Sequence, residues 1–165
     1  MISHQFHTIS PVYDAQSRVL ILGSFPSVKS RESGFFYGNP RNRFWNLLAM
    51  LAGRPVPQDI PDKKQLLHET GIALWDVILS CDIAGSSDSS IRNAVPADIG
   101  RILAASPIEA VYLNGKTAEK LYKRFGLDRQ FRSAVTLPST SPANASCSLE
   151  QLYGAWKIIL DRQDR

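Results

Sequence analysis

Four short segments gather most of the side chains capable of chemistry. They are Gly23-Ser24-Phe25-Pro26-Ser27, Tyr37-Gly38-Asn39-Pro40-Arg41-Asn42-Arg43, Asn114-Gly115-Lys116-Thr117 and Pro138-Ser139-Thr140-Ser141-Pro142-Ala143-Asn144. A carboxylate, Asp76, interrupts the apolar stretch from Ile72 to Leu79. Amides and hydroxyls dominate this set. The Asn42 and Asn39 side chains each donate through nitrogen and accept through oxygen, and a neutral amide is a poor general base. Such groups orient water and stabilise charge that develops on a departing group. Arg41, Arg43 and Lys116 place positive charge in the same segments, where it suits a phosphate.

Several familiar arrangements are excluded. Gly115-Lys116-Thr117 ends like a phosphate-binding P-loop, but the first glycine of that pattern falls at Ala110. Gly23-Ser24-Phe25-Pro26-Ser27 is not the Gly-x-Ser-x-Gly of a serine hydrolase, and none of His4, His7 and His68 follows it as a partner. A dinucleotide fold needs Gly-x-Gly-x-x-Gly after its first strand, and that motif is missing. No Cys and His cluster has zinc spacing, so neither a metal nor a cofactor is implied.

The elements that must position these residues follow from hydrophobic patterning. Arg18 to Ser24, Ile72 to Val77, Ala110 to Leu113 and Ala134 to Leu137 are continuous apolar runs, as expected of strands covered on both faces of a parallel sheet. Helical spacing marks Arg41 to Ala52, Asp62 to Glu69, Ala97 to Ala105 and Thr117 to Phe125. A last helix starts after Ser148, with Gln151 completing a capping box. The alternation predicts an α/β fold, a three-layer α/β/α sandwich around a mainly parallel four-stranded sheet. Ligands bind beyond the carboxyl ends of such strands. Each polar segment follows a strand or lies between the first strand and its helix, so a parallel sheet would gather them on one rim.

The 165 residues suit one domain, here residues 1–165, and burial of roughly 70% of the chain's surface. Lys and Arg number 19 against 15 acids, giving a net charge of +4 that is compatible with a nucleic-acid partner. The first ten residues lack the pattern of a secretory signal, and no run approaches the ~20 apolar residues of a membrane span. Cys81 and Cys147 are then expected as reduced thiols. These features predict a cytoplasmic protein without membrane attachment, and no partner helix is evident, so a monomer is expected.

All four of these segments carry a resemblance. Gly23-Ser24-Phe25-Pro26-Ser27 resembles the first motif of the uracil-DNA glycosylase superfamily. Asn39-Pro40-Arg41-Asn42-Arg43-Phe44-Trp45 is similar to the Pro-x-Asn-x-Phe-Trp segment of its mismatch-specific and hypoxanthine-specific members. Leu137 to Ala145 resembles the second motif in the form of the hypoxanthine branch, and Asn114-Gly115-Lys116-Thr117-Ala118 resembles a Gly-x-x-Ala segment of the same family. The resemblance runs from about Arg18 to Leu160. It implies a monofunctional DNA glycosylase acting on DNA that contains a deaminated or mismatched base, most directly hypoxanthine, with uracil as the alternative. Two departures stand out. Phe25 replaces the Asp of uracil-excising members, and Leu137 replaces their base-contacting His; the hypoxanthine branch shares both. Loss of two such groups also leaves open a DNA binder without catalysis.

The resemblance assigns the main catalytic role to Asn42, with Asn39 as second candidate. Gly23, Ser24, Phe25, Pro26, Phe36, Tyr37, Asp76 and Asn114 would hold the flipped base. Asp76 would accept from N1–H of hypoxanthine, and Phe36 or Tyr37 would stack on it. Arg41, Arg43, Lys116, Ser139, Thr140, Ser141, Pro142, Ala143 and Asn144 would contact DNA, with Pro142 as the bulkiest wedge. Structural alternatives stand beside these roles. Asn42 is also a natural helix cap, Asp76 can cap a turn or pair with an arginine, and Phe36 and Tyr37 suit a core. Lys116, Lys120, Lys123 and Arg124 suit a solvated helix face, and Trp45 belongs to the core.

Overall fold

The computed structural model describes residues 1–161; residues 162–165, part of the single domain expected from sequence, lie outside the described residues. The chain runs through β1 (Ile2–Phe6), β2 (Val19–Gly23), α1 (Val28–Ser33), α2 (Phe44–Ala52), α3 (Ile60–Thr70), β3 (Ile72–Asp76) and β4 (Ile78–Ala84). It continues with β5 (Arg92–Pro96), α4 (Gly100–Ala105), β6 (Ala110–Asn114), α5 (Lys116–Arg124), β7 (Val135–Leu137), α6 (Leu149–Trp156) and α7 (Ile158–Asp161). None of the described helices is long and apolar enough to cross a membrane.

The four expected strands form one parallel sheet in the order β3-β2-β6-β7. Every residue of β2 and β3 is buried, which explains their unbroken apolar runs. Helix α2 packs against α3 and α6, while α5 lies along β6 and β7. Trp45 is in the core, with Leu47, Leu48 and Trp156. From β2 the chain steps to β3 on one side and later crosses to β6 on the other. The crevice beyond the carboxyl ends of β2 and β6 is therefore the topological switch point, the usual ligand position in such sheets.

A second, antiparallel sheet in the order β1-β4-β5 lies outside the sequence expectation. Strand β4 begins after a single residue, Val77, so the apolar stretch from Ile72 to Leu79 serves two sheets. Val77 N donates to Gly23 O at 2.9 Å and Ile78 N to Ser24 O at 3.2 Å, carrying the pairing past the turn. Strands β1 and β5 are mostly exposed and carry little apolar signal.

Helix boundaries also shift for local reasons. Helix α2 begins at Phe44 rather than Arg41. Asn39 Oδ1 accepts from Arg41 N, and Asn42 Oδ1 from Phe44 N, each at 3.0 Å. Such side chain-to-backbone bonds hold turns that compete with helix. Helix α3 extends the expected span to Ile60–Thr70 because Asp59 caps it, whereas α4 starts only at Gly100. The Ser148–Gln151 capping box forms at α6.

Candidate active site

A cleft of about 460 Å3 opens at the switch point, within the range of small-ligand sites. All the polar segments except Gly115 to Thr117 reach it: Gly23 to Ser27, Phe36 and Tyr37, Asn39 and Asn42, Asn114, and Ser139 to Ala143, with Asp76 among them. The parallel register gathers them, because the sheet pairs Gly23 with Asp76 and Asn114 with Leu137.

The floor of the cleft is a buried polar pair. Asp76 Oδ2 lies 2.7 Å from His7 Nε2, and the two side chains are 5% and 0% exposed. His7 Nδ1 accepts from Ile9 N at 3.3 Å, which puts the ring proton on Nε2 and makes it a donor to the carboxylate. Rings enclose the imidazole: Phe25 and Phe36 at 5.9 Å and Trp75 at 6.3 Å between centroids. Phe25 thus builds the wall that holds His7. Among the described residues His7 is the side-chain partner of Asp76, so the alternative in which Asp76 pairs with an arginine does not hold. Gly23 is required beneath them: a Cβ there would lie 2.5 Å from Asp76 Oδ1 and 3.3 Å from the Tyr37 hydroxyl.

A second network forms the adjacent wall. Asn114 Nδ2 donates to the Tyr37 hydroxyl at 3.1 Å and to Thr140 Oγ1 at 3.0 Å, and its Oδ1 accepts from Thr140 N at 3.1 Å. Both amide hydrogens are therefore committed, and one Oδ1 lone pair remains. Tyr37 occupies the left-handed region with φ +53°, a conformation costing roughly 1–2 kcal/mol for a residue with a Cβ. Its ring stacks on Phe44 at 4.3 Å. Burial first, and the Asp76 charge second, push its phenol well above the usual value despite the Asn114 hydrogen bond. Tyr37 therefore stays a protonated donor. Phe36 is 2% exposed, its carbonyl accepts from Trp45 Nε1, and its ring belongs to the core edge of the cleft.

The Asn42 and Asn39 amides are oriented by their turns. Each Oδ1 is engaged by a backbone N–H two residues on, so each presents its NH2 as the available donor. Asn42 is not the N-cap of α2; that position is Arg43, which makes no side-chain cap.

The loop after β7 is braced from within. Ser139 Oγ accepts from Ser141 N, Ser141 Oγ accepts from Ala143 N, and Asn144 Nδ2 donates to Ser139 O. Arg43 reaches the same loop, donating to the carbonyls of Ser141, Asn144 and Cys147. Arg43 was expected at a phosphate and is instead spent on shaping this loop. Thr140 is corrected likewise: its side chain has no exposed surface and bonds Asn114. Asn144 is a brace outside the cleft lining. Arg41 and Lys116 are exposed and also lie outside that lining. Gly115, with φ +99°, keeps α5 close to the loop, because a Cβ there would meet Ser139 Cβ at 3.0 Å.

Two groups escaped the sequence reading. His7 sits beyond an exposed edge strand with no local motif, and only its pairing across the fold reveals it. The β4–β5 connection, Ser86 to Ser89, forms a further wall carrying Asp88. Its Ser-rich composition reads as a plain surface turn. Beyond Asp88 and Ser89 a second groove, about 400 Å3, is lined by Arg92, Lys120 and Arg124. Lys123 points elsewhere and pairs with Glu119 at 3.8 Å.

Comparison with known proteins identifies the family. Residues 10–158 match the family profile of the Uracil DNA glycosylase superfamily. A hypoxanthine DNA glycosylase of Methanosarcina acetivorans is 34% identical over 154 residues, covering 90% of this chain and 93% of its own. Its counterpart from Methanosarcina barkeri is 28% identical over 92% of this chain and 96% of its own. A solution NMR structure from Methanosarcina acetivorans, described as a candidate uracil DNA glycosylase, superposes with a TM-score of 0.79 at 31% identity, covering all of both chains. With a matched family profile across most of its length, this chain belongs to the uracil DNA glycosylase superfamily.

Proposed function

We propose that the protein is a monofunctional DNA glycosylase that removes hypoxanthine from DNA. The observation that carries this reading is the pairing of one deep carboxylate, Asp76, fixed by His7, with neutral donors from Asn42 and Tyr37 around the same cleft. The relatives named for hypoxanthine support the substrate. The target nucleotide must first leave the stack, which costs least where the base is damaged or mispaired. Ser139, Ser141 and Pro142 stand on the rim for contact with the strand. Asp76 accepts from N1–H of hypoxanthine and repels the unprotonated N1 of adenine. Rupture of the base–sugar bond gives an oxocarbenium-like sugar and moves electrons onto the base. The Asn42 NH2 donates to that growing charge, an effect that is strong in a preorganised site. A lyase step needs an amine, and among the described residues no lysine lines the cleft.

The test is base release from duplex oligonucleotides containing a single hypoxanthine, uracil or xanthine, with alkali cleavage of the abasic product. Release of hypoxanthine that is lost in Asn42→Ala supports both substrate and residue. Release of uracil alone keeps a glycosylase and overturns the substrate. No release from any strand favours a DNA binder without catalysis.

A further inference from the structure

We propose that Asp88 is the carboxylate that receives the proton of the attacking water, the task that Phe25 cannot perform. This rests on the reading of the chain as a glycosylase. Asp88 opens the short turn Asp88–Ser90 between β4 and β5 and lines the same cleft as Asp76. Its Oδ1 accepts from Ser24 Oγ at 3.0 Å, and the Thr117 side chain is a second donor. Ser24 immediately precedes Phe25. The Asp88 carboxyl group is therefore held at the Ser24 side chain, one residue before Phe25, on the wall of the cleft. A carboxylate reaches the cleft from a different element than the first motif.

The turn is preorganised. Val28 N donates to Ser86 Oγ at 2.9 Å and Arg31 to Gly85 O at 3.2 Å, fixing the tip to α1. Ser90 Oγ accepts from Ala84 N and donates to Ser87 O, closing the turn on itself. Hydroxyls hold Asp88, and no cation is paired with it among the described residues, so its lone pairs are not neutralised. Loss of solvation pushes its pKa up, and the Asp76 charge adds to this against the Ser24 and Thr117 hydrogen bonds. Asp76 on β3 acts on its charge, Asp88 in turn acts on Cys81 of β4, and Arg92 on β5 with Lys120 and Arg124 on α5 line the groove it shares. The two carboxylates divide the work. Asp76 is clamped as a reader of the base, and Asp88 is free to change protonation, as enzymes with paired acids require.

In the step itself the water oxygen bonds C1′ while the C1′–N bond breaks and its electron pair leaves with the base. The water proton passes to Asp88, and the base anion is protonated from solvent, regenerating the carboxylate when Asp88 returns its proton to water. No oxidant or reductant is involved.

The test is single-turnover release of hypoxanthine from saturating enzyme across about pH 4.5–9, with DNA affinity measured in parallel for wild type, Asp88→Asn and Ser24→Ala. Asp88→Asn should lower the rate constant by ~10²–10⁴-fold with affinity equal or higher. The wild-type rate should fall as acid protonates Asp88, at a pH shifted upward from that of an ordinary aspartate. That limb should vanish in Asp88→Asn and move upward in Ser24→Ala, which removes a hydrogen bond to the charged form. An Asp88→Asn rate within ~3-fold of wild type, an unchanged acid limb, or a rate loss matched by lost DNA affinity overturns the proposal while leaving the glycosylase reading intact. A wild type that releases no base from any duplex overturns both.

Discussion

Replacing His7 with Phe isolates the buried pair at the floor of the cleft. The new ring keeps the contacts to Phe25, Phe36 and Trp75 that surround the imidazole. What disappears is one donor, Nε2–H, 2.7 Å from a carboxylate that is 5% exposed. A hydrogen bond to a charged group contributes about 1.5–3 kcal/mol, and its loss leaves an unsatisfied buried acceptor. For a domain of this size each kcal/mol lowers Tm by about 2–4 °C, so His7→Phe should melt about 3–12 °C lower. Adding Asp76→Asn should recover much of this, since the amide carries no charge to strand. A double-mutant cycle should report a coupling of about 1–3 kcal/mol between the two positions. In activity, His7→Phe should lose discrimination between hypoxanthine and adenine, because the carboxylate proposed to read N1–H is no longer held. Thermal denaturation and excision from paired duplexes measure both effects. A Tm within about 1 °C of wild type, together with unchanged kcat/KM for hypoxanthine, would refute the argument.

The other expectations separate binding, shaping and chemistry. Arg41→Ala should leave Tm unchanged and reduce the slope of log affinity against log salt by about one. Arg43→Ala should lower Tm instead, since three loop carbonyls lose a donor; equal melting of the two variants would undo this distinction. Lys120→Ala and Arg124→Ala should each flatten the salt slope if DNA follows the groove they line, whereas Lys123→Ala, whose partner is Glu119, should not. Gly23→Ala places a Cβ 2.5 Å from Asp76 Oδ1 and should cost ~10²-fold in excision at near-normal DNA affinity, the usual price of a displaced group. Asn42→Ala should cost ~10²–10³-fold in single-turnover rate, and Asn42→Asp should not rescue it, because the role proposed for Asn42 needs the NH2 donor.

The parallel sheet was legible because β2, β3 and β6 are buried on both faces and their runs are uninterrupted. The convergence of Gly23, Asp76 and Asn114 followed from that sheet alone, since all three end strands on the same side. Orientation was not legible. Whether Asn42 offers its oxygen or its nitrogen depends on the Phe44 N–H that occupies the oxygen, and whether Arg43 meets DNA or protein depends on where the loop after β7 lies. The antiparallel sheet was hidden for a different reason. Strands β1 and β5 owe their existence to pairing with β4, with Ile2 opposite Ala84 and Val95 opposite Ser80. Exposed edge strands leave no apolar period to read. His7 and Asp88 both hang from that sheet, so the two groups missing from the sequence reading share one cause.

That common cause bears on how the site works. A first motif with Phe25 in place of an acid looks like a loss when it is read along the chain. In space, the Phe25 ring is packed edge-on against His7, and the acids of the cleft come from elsewhere, Asp76 at the end of β3 and Asp88 at the turn after β4. Both depend on the short reversal at Val77, where the chain leaves the parallel sheet while still bonded to Gly23 and Ser24. A carboxylate at position 25 would face the same enclosed volume as Asp76, and two adjacent carboxylates there disfavour one another's charged form. An aromatic ring at 25 removes that conflict and supplies an apolar wall that keeps His7 as a donor to Asp76. Phe25→Asp should therefore damage the protein rather than supply a missing base: excision should fall and Tm should drop, as His7 loses its wall and Asp76 gains a like-charged neighbour. A Phe25→Asp variant that folds as stably as wild type and excises faster would show that the acid was simply missing.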